Sequence, residues 1–505
     1  MTVAAAVPIS GKVSVDALST DAGGKHFCLP FRTCKRHIGA NVRRNFNFDV
    51  KGLLAEDRAH SMHPWHSFAK QDHTLLVDSE GIYVYDGAGN RYIDGIGGMW
   101  AVQLGYGNEE MAQAIADQVR QMVYYSPWSM TTVPHAEVSA KLATLTPGDL
   151  NRFFYSAGGS EANDSAVRFV HYYWNVMEQP QRKFVITRND AYHGSTYLAA
   201  SLCGKPGNDS RMQLITDWIA RVSSPNPYRK PEGMTDDEFR DHLVKEFEDK
   251  INEIGAEKVA AFIAEPVLAS GGVIVPPKGY QKAMLEVCRK YGILMISDEV
   301  VTGFGRMGHF FASEAVFDIV PDIITSAKGF TSGYIPAGVT CISNKLHQDI
   351  IDKAGETAVF ANGFTYSGHP VAMAAALKNI EIMERDNLME HSKVTGAYFQ
   401  EKLRGLADLP MVGDVRGVGL MGCVEAVSSK TTKKAFDGAL EVGKRIDKKC
   451  QEKGLILRPM WHLCVFSPPI IITKTQVDDM VGIMEGAIKA VADDLVREGA
   501  WDGKD

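Results

Sequence analysis

The strongest constraint on the fold is a rhythm in the middle of the chain. Short apolar runs alternate there with stretches long enough to be helices. FVIT, AFIA, ILMIS and DIIT are apolar on both faces, whereas a half-exposed strand alternates apolar with polar residues. Helical stretches are expected from Glu161, after Gly194 and from Gly279. Such alternation builds an α/β fold, a mostly parallel central sheet with helices on both faces. In these sheets ligands gather beyond the carboxyl ends of the strands.

The 505 residues suffice for two domains with cores of their own. Residues 47–98 are expected to begin a smaller α+β domain, 99–369 to form the large one, and 370–505 to complete the smaller. In IYVYDGAGNRYIDGIGG, the turn residues Asp86, Gly87, Gly89 and Asn90 between alternating apolar positions predict a hairpin. Residues 1–46 hold seven Lys and Arg against only Asp16 and Asp21. They read as a disordered or extended segment, or as a basic targeting segment. No run of 18 apolar residues exists, so no membrane helix is expected. The net charge of −7 is dispersed and no basic stripe offers itself to nucleic acid. Eight cysteines without a CxxC pair indicate free thiols in a reducing, cytoplasmic setting.

Charge placed at strand ends carries the chemistry. Asp298 and Glu299 directly follow ILMIS, and a buried acid there needs a partner. The two could cap a strand-to-helix turn, or one could pair with a buried cation. Lys328 ends the next such run, DIITSAKG, 30 residues after Asp298. Desolvation and a neighbouring cation make a lysine amine nucleophilic. Lysine and buried acid together suit a pyridoxal site, in which the acid keeps the ring nitrogen protonated. In FFYSAGGSEAN a strand enters Gly158, Gly159 and Ser160 and then a helix, a turn suited to phosphate. Tyr192 and His193 end a further strand, where an aromatic ring could stack on a flat cofactor.

The motifs SAGGSEAN, YHGS, AFIAEPV, ISDEVVTGFGRMG, SAKG and FTYSGHP resemble, in order and spacing, the class III (omega) aminotransferases, pyridoxal-phosphate enzymes of fold type I. The likeness runs from about Trp65 to about Glu485. It implies pyridoxal 5'-phosphate as cofactor, Lys328 as its Schiff-base lysine and Asp298 as partner of the pyridine nitrogen. It further implies that Gly159 and Ser160 donate to the phosphate, that Tyr192 and Val300 cover the two faces of the ring, and that Glu265 orients the site. Thr365 would reach the phosphate of a neighbouring subunit, which makes a homodimer or a higher homo-oligomer. Trp65 and Trp100 fall at pocket-lining positions. Arg458 matches the carboxylate-binding arginine of the branch that passes amino groups from amines and ω-amino acids to pyruvate. The implied reaction is ping-pong transfer from an amine donor to a keto acid, with pyruvate the expected acceptor.

Two other patterns bear on function. Gly303, Gly305 and Gly308 satisfy GxGxxG, which gives an NAD-linked oxidoreductase as the alternative. The strand-end acids and the missing acid about 20 residues on oppose a pyrophosphate there. His60, His63 and His66 are spaced three apart, but Pro64 would break a helix aligning them, so no metal is expected.

Overall fold

The computed structural model of the protein describes residues 46–69, 73–205 and 210–504. The N-terminal segment read as an extension or targeting signal lies outside the described residues, save Phe46.

The predicted hairpin forms. Strands β1 (Leu76–Glu80), β2 (Tyr83–Asp86) and β3 (Arg91–Asp94) run antiparallel in sequence. Asp86 closes the β2–β3 turn by accepting from the Ala88 and Asn90 amides, both at 2.9 Å, and from the Tyr92 hydroxyl at 2.8 Å. Gly89 takes φ 82°, a left-handed conformation that glycine adopts without a Cβ penalty.

The apolar runs become the central sheet. It contains β4 (Arg152–Ser156), β5 (Phe184–Arg188), β6 (Ile219–Val222), β7 (Val259–Ala264), β8 (Leu294–Asp298), β9 (Ile323–Ser326) and β10 (Gly338–Ile342). Their order is β4-β10-β9-β8-β7-β5-β6. β10 is antiparallel to both its neighbours, and the recorded pairings among β5 to β9 are parallel. All six residues of β7 are buried. On one face, Ile263 and Ile296 pack with Ala166 and Val170 of the helix Gly159–Val176. On the other, Phe262 and Met295 pack with Phe247 of the helix Asp236–Ile254 and Met284 of the helix Tyr280–Tyr291. The Asp236–Ile254 helix starts where it does because Thr235 and Glu238 cap each other's amides, at 3.2 and 2.8 Å. Truncating Phe262 to alanine removes a ring tilted 44° to that of Phe247 with centroids 4.7 Å apart, a change that costs about 3–5 kcal/mol in such cores.

The C-terminal third adds β11 (Val412–Val418), β12 (Met421–Ala426), β13 (Leu455–Ile456), β14 (Arg458–Met460) and β15 (Leu463–Phe466). β11, β12, β15 and β14 form an antiparallel sheet. β13 joins β3 in parallel and ties this part of the chain to the N-terminal hairpin. Cys203, Cys288, Cys341, Cys423, Cys450 and Cys464 are free and buried. Among the described residues no helix is long and apolar enough to cross a membrane.

Candidate active site

The carboxyl ends of β8 and β9 lie side by side, with Asp298 in register with Thr325. Asp298 is buried, and its carboxylate is held on three sides. Oδ2 accepts from Asn163 Nδ2 at 2.8 Å and from His193 Nδ1 at 2.7 Å, and Oδ1 accepts from the Val300 amide at 3.0 Å. With Nδ1–H given to the carboxylate, His193 Nε2 is left to accept from the Thr187 hydroxyl at 3.2 Å. Asn163 is fixed in turn by Thr325 Oγ1, which donates to its Oδ1 at 2.6 Å.

Glu299, the next residue, does a different job. It accepts from the amides of Ala312 and Ser313 at 2.7 and 2.9 Å, and from the hydroxyls of Thr302 and Ser313 at 3.0 and 2.6 Å. It thereby satisfies the start of the helix Ala312–Phe317. Of the two strand-end acids one is a cap, and Asp298 is turned to the site.

Lys328 follows β9 with φ 44°, a left-handed conformation costly for a residue with a Cβ. Gly329 lets the chain pass, since a Cβ there would come within 2.9 Å of Gln103 Nε2 and of Phe304 Cβ. The Lys328 amine makes no hydrogen bond or ion pair with a described residue. Burial pushes its pKa down to about 8, against the pull of Asp298 and Glu265 and with the help of the Arg458 charge. A half-buried lysine without a partner is costly unless an incoming group takes its amine.

The turn after β4 makes the second part of the site. The helix Gly159–Val176 has Gly158 as its cap, with no side chain over its first-turn amides, so they and the helix dipole remain available to an anion. A Cβ on Gly159 would lie 2.8 Å from Val300 Cγ1 and fill the space between the two residues. Ser160 Oγ accepts from the Ser195 amide at 3.0 Å.

The Tyr192 amide donates to Glu265 Oε1 at 3.0 Å, and the Ala269 amide donates to Glu265 Oε2 at 3.2 Å. Burial raises the Glu265 pKa, with the His193 side chain opposing. Over the Tyr192 ring stands Lys205, its Nζ 5.0 Å from the centroid, while Trp65 meets that ring edge-on at 6.2 Å. Arg458, at the start of β14, is half-buried, and its guanidinium makes no hydrogen bond or ion pair with a described residue. Burial lowers its pKa, with Tyr192 opposing. Trp100 is fully buried beside Val267, Met421 and Leu463, and its indole N–H has no partner among the described residues. Thr365 is exposed, and its carbonyl accepts from the Tyr124 hydroxyl at 2.6 Å. A cleft of about 300 Å³ next to Lys205 is lined also by Asp190, Arg229, Arg416, Glu425 and Met460.

Asn163, Lys205 and the pairing of His193 with Asp298 were missed by sequence reasoning. Asn163 stood inside the SEAN motif, but nothing local shows that its amide spans 135 residues to Asp298.

Residues 67–488 match the family described as Aminotransferase class-III. This chain is a class III aminotransferase. The aminotransferase is similar to putrescine–pyruvate aminotransferase of Pseudomonas aeruginosa, 38% identical over 451 residues that cover 88% of this chain and 98% of that one. It also resembles the (S)-enantioselective omega-transaminase of Thermomicrobium roseum, with a TM-score of 0.84, 38% identity, and coverage of 88% of this chain and 99% of that one. The omega-transaminase of Pseudomonas jessenii, solved in complex with PMP, gives a TM-score of 0.84 and 36% identity over 87% of this chain and 98% of that one. The fold is thus fold type I. The family depends on pyridoxal 5'-phosphate and takes amines and keto acids.

The reading of Gly303, Gly305 and Gly308 as a dinucleotide turn is overturned by this membership and by packing. A Cβ on Gly303 would lie 2.9 Å from the Glu299 carbonyl oxygen, and one on Gly305 would lie 2.7 Å from Ile470 Cδ1. These glycines admit the chain's own atoms and leave no room for a pyrophosphate.

Proposed function

We propose that this aminotransferase moves an amino group from a primary amine or ω-amino acid to a keto acid, with pyruvate the acceptor, by a ping-pong mechanism. The observation that carries the reading is the unpartnered Lys328 amine beside the Asp298 carboxylate, itself fixed by Asn163, His193 and Val300. The pyruvate acceptor is supported by the putrescine–pyruvate relative.

The residues present fit pyridoxal 5'-phosphate: a free amine, a rigid acid, an uncapped helix start and an aromatic face. Lys328 would hold it, Asp298 would face its ring nitrogen, Gly159 and Ser160 would receive its phosphate, and Tyr192 and Val300 would cover its faces. Glu265 holds Tyr192 in place by accepting a hydrogen bond from its backbone N–H at 3.0 Å. The bound cofactor supplies an electron sink for charge left on the substrate carbon. Lys328 Nζ takes the proton from that carbon and returns it in the reverse sense. A pKa near 8 leaves about a tenth of the amine neutral at pH 7, enough for a general base. Arg458 pairs with the keto acid's carboxylate, and its long stem lets the charge swing aside for an apolar donor. Trp65 shapes the substrate pocket, while Trp100 lies buried among Val267, Met421 and Leu463. Thr365, exposed on one subunit, serves the phosphate of its neighbour in a homodimer.

Alanine formation from pyruvate tests this, with putrescine, an ω-amino acid and an aryl-alkyl amine as donors. At least one donor should give alanine, with parallel double-reciprocal plots. No alanine from any donor, or intersecting plots, would overturn the reading.

A further inference from the structure

The transamination reading leaves one cluster of side chains unused. Asp57 stands in the last turns of the helix Val50–His60, and the chain then turns back so that His63 meets it. His63 Nε2 lies 3.0 and 2.9 Å from the two Asp57 oxygens. The His73 ring lies against that of His63, centroids 3.8 Å apart, with its Nδ1 3.7 Å from Asp57 Oδ2. One nitrogen or oxygen from each of the three residues falls within 4.8 Å of the others. We propose that Asp57, His63 and His73 bind one divalent transition-metal ion, Zn2+, which fixes the loop carrying Trp65.

Bonds of 2.0–2.1 Å in a tetrahedral zinc site place neighbouring ligand atoms about 3.3 Å apart. The separations of 2.9 and 3.7 Å from Asp57 bracket that value, and all three ligand atoms lie within 4.8 Å of one another, within reach of side-chain rotation onto one ion. Two imidazoles and a carboxylate, with no thiolate, suit zinc better than calcium or magnesium, which prefer oxygen throughout. The His66 ring lies 4.5 Å from that of His73 and can supply the fourth ligand, otherwise a water. A neutral imidazole binds a metal through one ring nitrogen and carries its proton on the other, so His63 offers Nε2 with its proton on Nδ1, and no oxidation state changes. Pro64 does not prevent any of this. The helix ends at His60, and the histidines meet on a loop with a partner ten residues further on.

The consequence reaches the pocket. Trp65 follows His63 by two residues, holds φ 61°, is 75% exposed, and meets the Tyr192 ring edge-on. An ion joining the helix, His63 and His73 would limit how far that indole can swing. The proposal does not rest on the transamination reading.

The test is calorimetric titration of chelator-treated holoenzyme with Zn2+. The wild type should take up one ion per chain and melt at higher temperature. His63→Ala and His73→Ala should each bind at least about tenfold more weakly. His60→Ala should bind as the wild type does, since His60 faces solvent beside Glu56. Zn2+ should also shield His63 and His73 of the unmutated protein from diethylpyrocarbonate, read by peptide mass mapping. No uptake by the wild type, uptake undiminished in both variants, or unshielded histidines would each overturn the proposal.

Discussion

The ends of β8 and β9 are neighbours with opposite finish. At the end of β8 Asp298 has three donors on its two oxygens, and the groups behind it are themselves anchored to β5 and β9. At the end of β9 the Lys328 amine is half-buried, sits on a left-handed backbone and bonds no described residue. A fully bonded buried acid is rigid, and its position is fixed before any ligand arrives. An unbonded buried amine is held in readiness, and its cost is offset only when an incoming group takes it. One strand end supplies a fixed reference charge, and the other a reactive nitrogen.

The largest break in this comparison is Lys328→Ala. Turnover should fall by at least about 10³-fold, the scale of a lost general base, and exogenous amines should restore part of it. Steady-state rates with and without added methylamine measure this. A variant retaining a tenth of the activity would mean that another group carries the proton. Asp298→Asn comes next, with a loss of about 10²–10³-fold in kcat and a melting temperature near that of the wild type. A near-native rate would reduce Asp298 to a structural acid like its neighbour.

Arg458→Ala should raise the KM for pyruvate about 10- to 100-fold, the value of one charge-assisted bond. The half-reaction with a carboxylate-free amine should change little. Single-turnover spectroscopy separates the two, and equal losses in both would remove Arg458 from carboxylate binding. Glu299→Gln sharpens the contrast between adjacent acids. An amide N–H2 would face the donors of Thr302, Ala312 and Ser313, so stability should drop by about 1–3 kcal/mol. The rate per folded molecule should hold within about threefold. Denaturant melts and active-site titration check this.

The sheet was legible because burial on both faces leaves an unbroken apolar run, and Lys328 and Asp298 were legible because each breaks such a run with a charge. β10 was not distinguishable as antiparallel, since GVTCI is buried in the same way as its parallel neighbours. The support of Asp298 was hidden, since Asn163 and His193 reach it across 135 and 105 residues. The meeting of His63 with His73 and Asp57 was hidden for a related reason. A search along a helix looks three or four residues on, whereas these meet through a loop. Trp100, expected on the pocket wall, sits in a packed cluster that includes its near neighbour Ile96 and, from β12 and β15, Met421 and Leu463.

The smallest effect concerns pH, and it tests the electrostatics directly. Burial sets the Lys328 pKa to about 8, below its ordinary 10.5. The unfolded chain therefore keeps this proton up to about pH 10.5, while the folded cofactor-free chain loses it near 8. Between those values the unfolded state binds more protons, so Lys328 makes stability rise with pH across that window. Only the neutral amine attacks the cofactor's aldehyde. The rate of pyridoxal phosphate capture should thus climb about tenfold per pH unit below 8 and level off above it. The neighbours pull in opposite senses, since Arg458 lowers this pKa and Asp298 raises it. Arg458→Ala should therefore move the midpoint up, and Asp298→Asn should move it down. Lys205, also pushed to about 8 by burial and by Arg458, titrates in the same range. Lys205→Met is accordingly the control, and it should leave a midpoint near 8. Stopped-flow absorbance from pH 6 to pH 10 reads all four proteins. If the two variants shift the same way, or if Lys205→Met abolishes the transition, the titrating group is not Lys328.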